Sequence, residues 1–178
     1  MKAVLKLGGF AFPPELSIER IAAYSRIIKA FSKKNTVSVV TGAGPTARRY
    51  IEAARRLGAS EAVCDQIGIR VSRINARLLA AALRDSAVAE VPESLEDFVR
   101  FLASGLIVVM GGLQPGQSTN AVAALAAEVM HADLLVNATD VDGVYDADPR
   151  KDPRAKKLDE VSVEDLMRIL STQGVRAG

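Results

Sequence analysis

Four short segments hold the residues of this chain best suited to chemistry. Lys6 stands in KLGGF, just ahead of Gly8 and Gly9. Arg48 follows the glycines of TGAGPTARR, and Ser118 and Thr119 close GGLQPGQST. Aspartates crowd TDVDGVYDADPR, at Asp140, Asp142, Asp146 and Asp148. Glycine removes the side chain, and bare N–H groups at a helix start favour an anion. The loops at 42–45 and 111–119 both run toward helix starts, with Lys6 and Arg48 as cations beside them. The inventory predicts an edge that binds phosphate, with room for more than one phosphate group. Any one of these loops could be an ordinary strand-to-helix turn, so the prediction rests on their recurrence. Neither GxGxxG nor GxxxxGK[ST] is present. The acidic segment makes a poor calcium loop: its glycine, Gly143, comes too early after Asp140, and Lys151 stands where the closing glutamate belongs. A turn that holds a nucleoside suits it better, with Tyr145 offering a ring face or a hydroxyl.

Regular elements must position these loops. Apolar, β-branched runs predict strands at 3–7, 36–41, 86–91, 106–110 and 134–139. Helices are predicted from about Ile18 to Phe31, from Pro45 to about Leu57, over 61–84, after Ser94 to Gly105, over 119–130, and after Ser162 to about Leu170. Ser17 reads as an N-cap, and Ser94 with Asp97 and Ser162 with Asp165 resemble capping boxes. In the long 61–84 helix, Val63, Ile67, Val71, Ile74 and Leu78, spaced by 4, 4, 3 and 4, form one apolar stripe. Strands alternating with helices predict an α/β fold, a mostly parallel central sheet sandwiched between helices, in a single domain over 1–178. Ligands in such sheets bind outside the carboxyl ends of the strands, where the glycine-rich segments fall.

Composition narrows the classes. The 178 residues are 49% apolar and 25% charged, enough for one packed core. A net charge of +2 and the absence of Trp argue against a nucleic-acid surface. The single cysteine, Cys64, excludes an internal disulfide and reads as a small packing residue in a reducing compartment. No apolar run is long enough to span a membrane, and the amino terminus enters a strand without a leader. A cytoplasmic protein is expected. The sole histidine, His131, falls at a helix end and is expected to cap it. Arg70, Arg73 and Arg77 share one helical face, either solvated or part of an interface.

LKLGG, TGAGPTARRYI, MGGLQPGQSTNAVAALAAE and ATDVDGVYDADPRKDPRAKKL together resemble the archaeal-type uridylate kinases of the amino acid kinase family, in order over essentially the whole chain. The resemblance implies transfer of a phosphoryl group from ATP to UMP, with Mg²⁺ accompanying ATP, and assembly as a homo-oligomer, a hexamer of dimers. By position, Lys6 and Gly9 would lie at the transferred group. Ala43, Asp65 and Leu113, Gln114, Pro115, Gly116, Gln117, Ser118 and Thr119 would hold UMP. Gly9, Phe10, Gly44, Arg48, Thr139, Tyr145 and Asp148 would hold ATP, with Gly44 and Arg48 bordering the phosphates. The acceptor is then itself an anionic phosphate, so no general base is required. Catalysis becomes positioning and charge neutralisation by Lys6, backbone N–H groups and Mg²⁺. Asp65 would accept from ribose hydroxyls; as an ordinary acid in a first helical turn it would need no ligand.

The chain departs from the family pattern in places. Ala43 replaces the middle of three glycines, and Phe10 stands where something smaller or polar is usual. The chain ends at GVRAG, where family members continue, so a C-terminally incomplete domain is expected. An exposed sheet edge, weak UMP binding and little turnover are expected with it. Two alternatives remain. One is another phosphotransferase of the family, acting on a carboxylate, carbamate or isopentenyl phosphate. The last of these branches uses a substrate-side histidine, and His131 lies outside the loops. The other alternative is a non-catalytic nucleotide-binding module.

Overall fold

The structure is a computed structural model, which describes residues 1–147, 149 and 151–172. Its backbone contacts divide into two compact units, Met1–Thr139 and Asp140–Gly178. In the first unit, four strands form a parallel sheet: Lys2–Leu7 (β1), Thr36–Thr41 (β2), Val108–Met110 (β3) and Leu134–Ala138 (β4). Their order is β3-β2-β1-β4. Five helices surround the sheet: Ile18–Ser32 (α1), Gly44–Arg56 (α2), Glu61–Leu83 (α3), Leu95–Leu102 (α4) and Thr119–Met130 (α5).

Alternation along the strands decides which helices cover which face. Val37, Val39 and Val109 pack with Ile28 of α1 and with Ala76, Leu79, Ala80 and Leu83 of α3. Val4, Val40, Val108 and Met110 pack with Phe98 of α4 and with Val122, Ala123, Ala126 and Met130 of α5. The sheet is thus sandwiched between helices, as expected. The small residues of α5 let that helix lie close to the strands. β4 is an outer strand, and Leu134, Leu135 and Val136 on it remain exposed.

The expected caps are present. Ser17, Ser94 and Ser162 accept from the N–H groups of Arg20, Asp97 and Asp165 at 3.2, 3.0 and 3.1 Å. Each such cap is typically worth about 1 kcal/mol. His131 caps the carboxyl end of α5 in the left-handed region, at φ 48°, and Cys64 is buried.

Two expectations change, and the inner face of α3 differs from its apolar stripe. Residues 86–91 do not form a strand. Arg84 turns sharply at φ 50°, and only Ala87 then pairs, with Ile107. Val88 N still donates to Ile107 O at 2.9 Å, but the chain bends away at Ala89 and Glu90. The 94–105 helix ends at Leu102, and Gly105, at φ +72°, turns the chain into the next strand. The apolar stripe of α3 is not its buried face: Ile74 is 65% exposed and Val63 is 44% exposed. The buried face carries Cys64, Ser72, Asn75, Ala76, Leu79, Ala80 and Leu83. It packs small and polar residues against backbone, for the reason that the site makes plain.

In the second unit, Val144–Tyr145 (β5) and Lys157–Leu158 (β6) pair antiparallel, and Val163–Thr172 forms α6. Asp146 pins the ladder: its N–H donates to Lys156 O at 3.1 Å, and its carboxylate accepts from Lys156 N at 2.7 Å.

Candidate active site

The carboxyl ends of β1 and β2 carry the first two glycine loops, and these cross in direct backbone contact. Gly42 N donates to Leu7 O at 2.9 Å. A Cβ on Gly44 would stand 2.5 Å from Gly9 O, and Gly44 itself sits at φ +73°. Only glycine satisfies both conditions. Gly44 opens α2, with Pro45 in its first turn, and no side chain caps the helix. Arg48 lies on that helix, exposed. Lys6 pairs in the sheet between Val40 and Asn137, on the same face of β1 as Val4. Phe10 follows in a 3-10 turn over Gly9–Ala11, and its ring packs against the core cluster of Leu7, Phe12 and Val39. The ring is therefore partly buried against the core.

Helix α3 holds the second and third loops from behind. Thr41 Oγ1 donates to Ser72 O at 2.8 Å, and Ser72 Oγ accepts from Gly112 N at 2.8 Å. Asn75 Nδ2 donates to Gly42 O at 2.9 Å and to Ala43 O at 3.3 Å. Arg73 Nε and Nη2 donate to Gly112 O and Leu113 O at 3.0 and 3.2 Å. The same guanidinium reaches the Glu93 carboxylate at 2.6 Å and Glu93 O at 3.1 Å. Asp65 Oδ2 accepts from Gly116 N at 2.8 Å. Gly111 passes so close that a Cβ there would lie 2.7 Å from Arg73 N.

The third loop therefore joins the site as a tethered segment. Gln114, Pro115 and Gly116 are exposed. Gln117 Oε1 is buried, with no hydrogen-bond partner among the described residues. Ser118 Oγ accepts from Ala121 N at 3.2 Å and caps α5, of which Thr119 is the first residue.

Gly9, Ala43 and Gly44 lie at the loop crossing, and Asp65 reaches the 113–119 loop. Thr139 closes the first unit, whereas Tyr145 lies in β5 of the second. The Tyr145 hydroxyl donates to Asp142 Oδ1 at 2.9 Å, and that bond holds its pKa above the usual tyrosine range. Asp148 lies outside the described residues. His131 lines a surface with Met1, Lys2 and Thr36, at the amino ends of the strands. Ser72, Arg73 and Asn75 were missed as parts of the site. The signal for Ser72 and Asn75 is their spacing, three apart and in step with Ala76 and Leu79 on one face of the helix. Arg73 is also set apart from Arg70 and Arg77: its side chain is only 19% exposed and is bound to the loop, so it is no part of a solvated face.

The amino acid kinase family matches residues 1–178. The uridylate kinase of Methanococcoides burtonii is 47% identical over 178 residues, an alignment covering all of this chain and 76% of that protein. The uridylate kinase of Methanocaldococcus jannaschii is 45% identical, with 100% of this chain and 80% of that protein aligned. The crystal structure of uridylate kinase from Archaeoglobus fulgidus superposes with a TM-score of 0.88 at 45% identity, covering 96% of this chain and 78% of that one. Aspartate kinase from Synechocystis, 24% identical, shares the fold with a TM-score of 0.75 over 96% of this chain and 34% of its own. With its parallel sheet, crossed glycine loops and whole-length match, the chain belongs to the amino acid kinase family.

Proposed function

We propose that this chain transfers the γ-phosphoryl group of ATP to UMP, giving ADP and UDP. The observation that carries the reading is the tethered third loop beside the crossed glycine loops. One sheet edge offers an uncapped helix start, the cation Arg48, and an acceptor loop bound to Asp65. The names of the relatives above support UMP as the acceptor. In the reaction the bond from the γ-phosphorus to the bridging oxygen breaks, and a UMP phosphate oxygen forms the new one. That oxygen is largely anionic at neutral pH, so no residue has to remove a proton.

Each residue then has a role. Lys6 neutralises charge on the transferred group, and Gly9 with Gly44 admits the phosphates to the backbone. Arg48, bordering both nucleotides, pairs with the UMP phosphate as well as with the phosphates of ATP. Asp65 and residues 113–119 hold the nucleoside monophosphate, and Gln117 Oε1 is a buried acceptor suited to a uracil or ribose donor. Thr139, Tyr145 and Asp148 serve the adenosine side. Among the described residues no group of three His, Cys, Asp or Glu side chains forms a metal cage. Mg²⁺ fits this site as an ion carried on the ATP phosphates and water, where it would neutralise phosphate charge. Assembly into a homo-oligomer, a hexamer of dimers, belongs to the same reading, with exposed Val63 and Ile74 of α3 as apolar surface for a second copy.

A coupled ADP-release assay with UMP, CMP, GMP and acetylglutamate tests the acceptor, and thermal shift with the same panel tests binding. UMP is expected to be the preferred acceptor and the strongest stabiliser. Lys6→Ala is expected to cut kcat strongly while changing the KM for UMP little. Turnover with a carboxylate acceptor and none with UMP would replace the reading by another branch of the family.

A further inference from the structure

Two α3 side chains hold backbone carbonyls of the site in the same manner. Asn75 Nδ2 donates to the carbonyls of consecutive residues Gly42 and Ala43. Arg73 donates to the carbonyls of consecutive residues Gly112 and Leu113. A trans peptide unit is planar, and its C=O and N–H point in opposite directions. Fixing the carbonyls of residues 42, 43, 112 and 113 on α3 therefore directs the N–H groups of Ala43, Gly44, Leu113 and Gln114 away from it. None of these four N–H groups has a hydrogen-bond acceptor among the described residues. Neighbouring N–H groups behave differently: Gly42 N donates to Leu7 O, and Gly112 N to Ser72 Oγ.

We infer that Asn75 and Arg73 are positioning residues that orient two pairs of backbone donors toward phosphate groups, one pair in each loop. Neither side chain touches substrate. Asn75 is 7% exposed and fills its place with a neutral amide, so it turns the peptide units without adding a charge behind the nest. Arg73 uses four donations, two to the loop and two to Glu93. The planar fork suits that task, because a lysine ammonium has no geometry to span both carbonyls and Glu93 at once. Gln114 is followed by Pro115, which has no N–H, so the donor pair of the third loop ends there.

The inference rests on the phosphoryl-transfer reading, and the test separates the two. Amide spectra of the wild-type protein are recorded with inorganic phosphate, UMP and ATP. The amides of Ala43, Gly44, Leu113 and Gln114 are expected to shift with at least one of them. UMP turnover is then measured for R73M, R73K and N75L. R73M is expected to raise the UMP KM about tenfold or more, with the ATP KM within about twofold, the scale of one lost charge-assisted hydrogen-bond set. R73K is expected to resemble R73M. A lysine that restores wild-type KM would reduce the role of Arg73 to charge alone and overturn the inference. N75L is expected to remove the phosphate-induced shifts at Ala43 and Gly44 while leaving those at Leu113 and Gln114. Should N75L fail to fold, N75S takes its place, with the same outcome expected. Shifts of all four amides that persist in both variants would also overturn it. A wild type that responds to phosphate but never uses UMP would sink the acceptor assignment and leave the positioning role standing.

Discussion

The starts of α2 and α5 are a natural experiment within one fold. Both follow a glycine-rich turn at the carboxyl edge of the same sheet, and both expose the N–H groups that every helix start leaves without intrahelical partners. At α5 the chain satisfies its own demand. Ser118 has extended backbone, at φ −72° and ψ 156°, and its hydroxyl accepts from Ala121 N. At α2 it does not. Ala43 is already helical, at φ −81° and ψ −32°, and no side chain caps the helix. Asn75 instead holds the carbonyls of Gly42 and Ala43 from the far side. One start carries its own hydroxyl cap, and the other leaves the N–H groups of its first turn without one. The difference lies in which end of the peptide unit the protein binds.

The sharpest way to break the contrast is at Gly44. An alanine there must adopt φ +73° and place its Cβ 2.5 Å from Gly9 O. The neighbour is backbone rather than a flexible side chain, so the loop crossing has to open. Gly44→Ala is expected to lose about a hundredfold or more in kcat/KM, or to lose the native state, since positioning alone is worth many kcal/mol of barrier. Steady-state kinetics alongside a denaturation curve decide between these outcomes. Wild-type turnover from this variant would mean that the crossing is not needed in the reacting state.

Arg48 probes the anion side of the same start. Arg48→Ala is expected to weaken UMP binding about ten- to a hundredfold, the equivalent of one charge-assisted contact. Titration calorimetry without ATP reads this directly. Equal affinities would remove Arg48 from the phosphate site and leave α2 serving through its N–H groups.

Much of this arrangement was legible before any coordinates. β2 and α5, Thr36–Thr41 and Thr119–Met130, coincide with the expected 36–41 and 119–130. Their limits are written in β-branched runs, a serine cap and helix-forming alanines. α3 was legible as a helix, but its inner face was not. Hydrophobic periodicity selected Val63, Ile67, Val71, Ile74 and Leu78 because it weighs only apolar character. The true inner face buries Ser72 and Asn75, since each finds backbone partners there. A buried polar group costs little once it is hydrogen-bonded, and no periodicity records which partners it will meet. The 86–91 segment failed for a related reason. Its β-branched content is adequate, but pairing depends on where Arg84 and the bend at Ala89 and Glu90 allow the chain to run. Arg73 carried no signal of its own, because charge and spacing alone place it with Arg70 and Arg77.

The smallest expected effect sharpens the comparison most directly, because it exchanges the two starts. Ser118→Ala removes the hydroxyl that accepts from Ala121 N, and it is expected to cost about 1 kcal/mol of stability. Its mirror, Ala43→Ser, supplies a hydroxyl at the corresponding position of α2. A capping serine needs extended backbone to bring Oγ back to the N–H groups of the first turn. Ser118 has that backbone at ψ 156°, whereas Ala43 is held at ψ −32° by its neighbours and by Asn75. Ala43→Ser is therefore expected to change stability by less than about 0.5 kcal/mol, within the range of substitutions that make no special contact. Urea denaturation of the two variants beside wild type measures both. A gain from Ala43→Ser as large as the loss from Ser118→Ala would show that α2 lacks only a side chain, and that its N–H groups are not held open by the backbone.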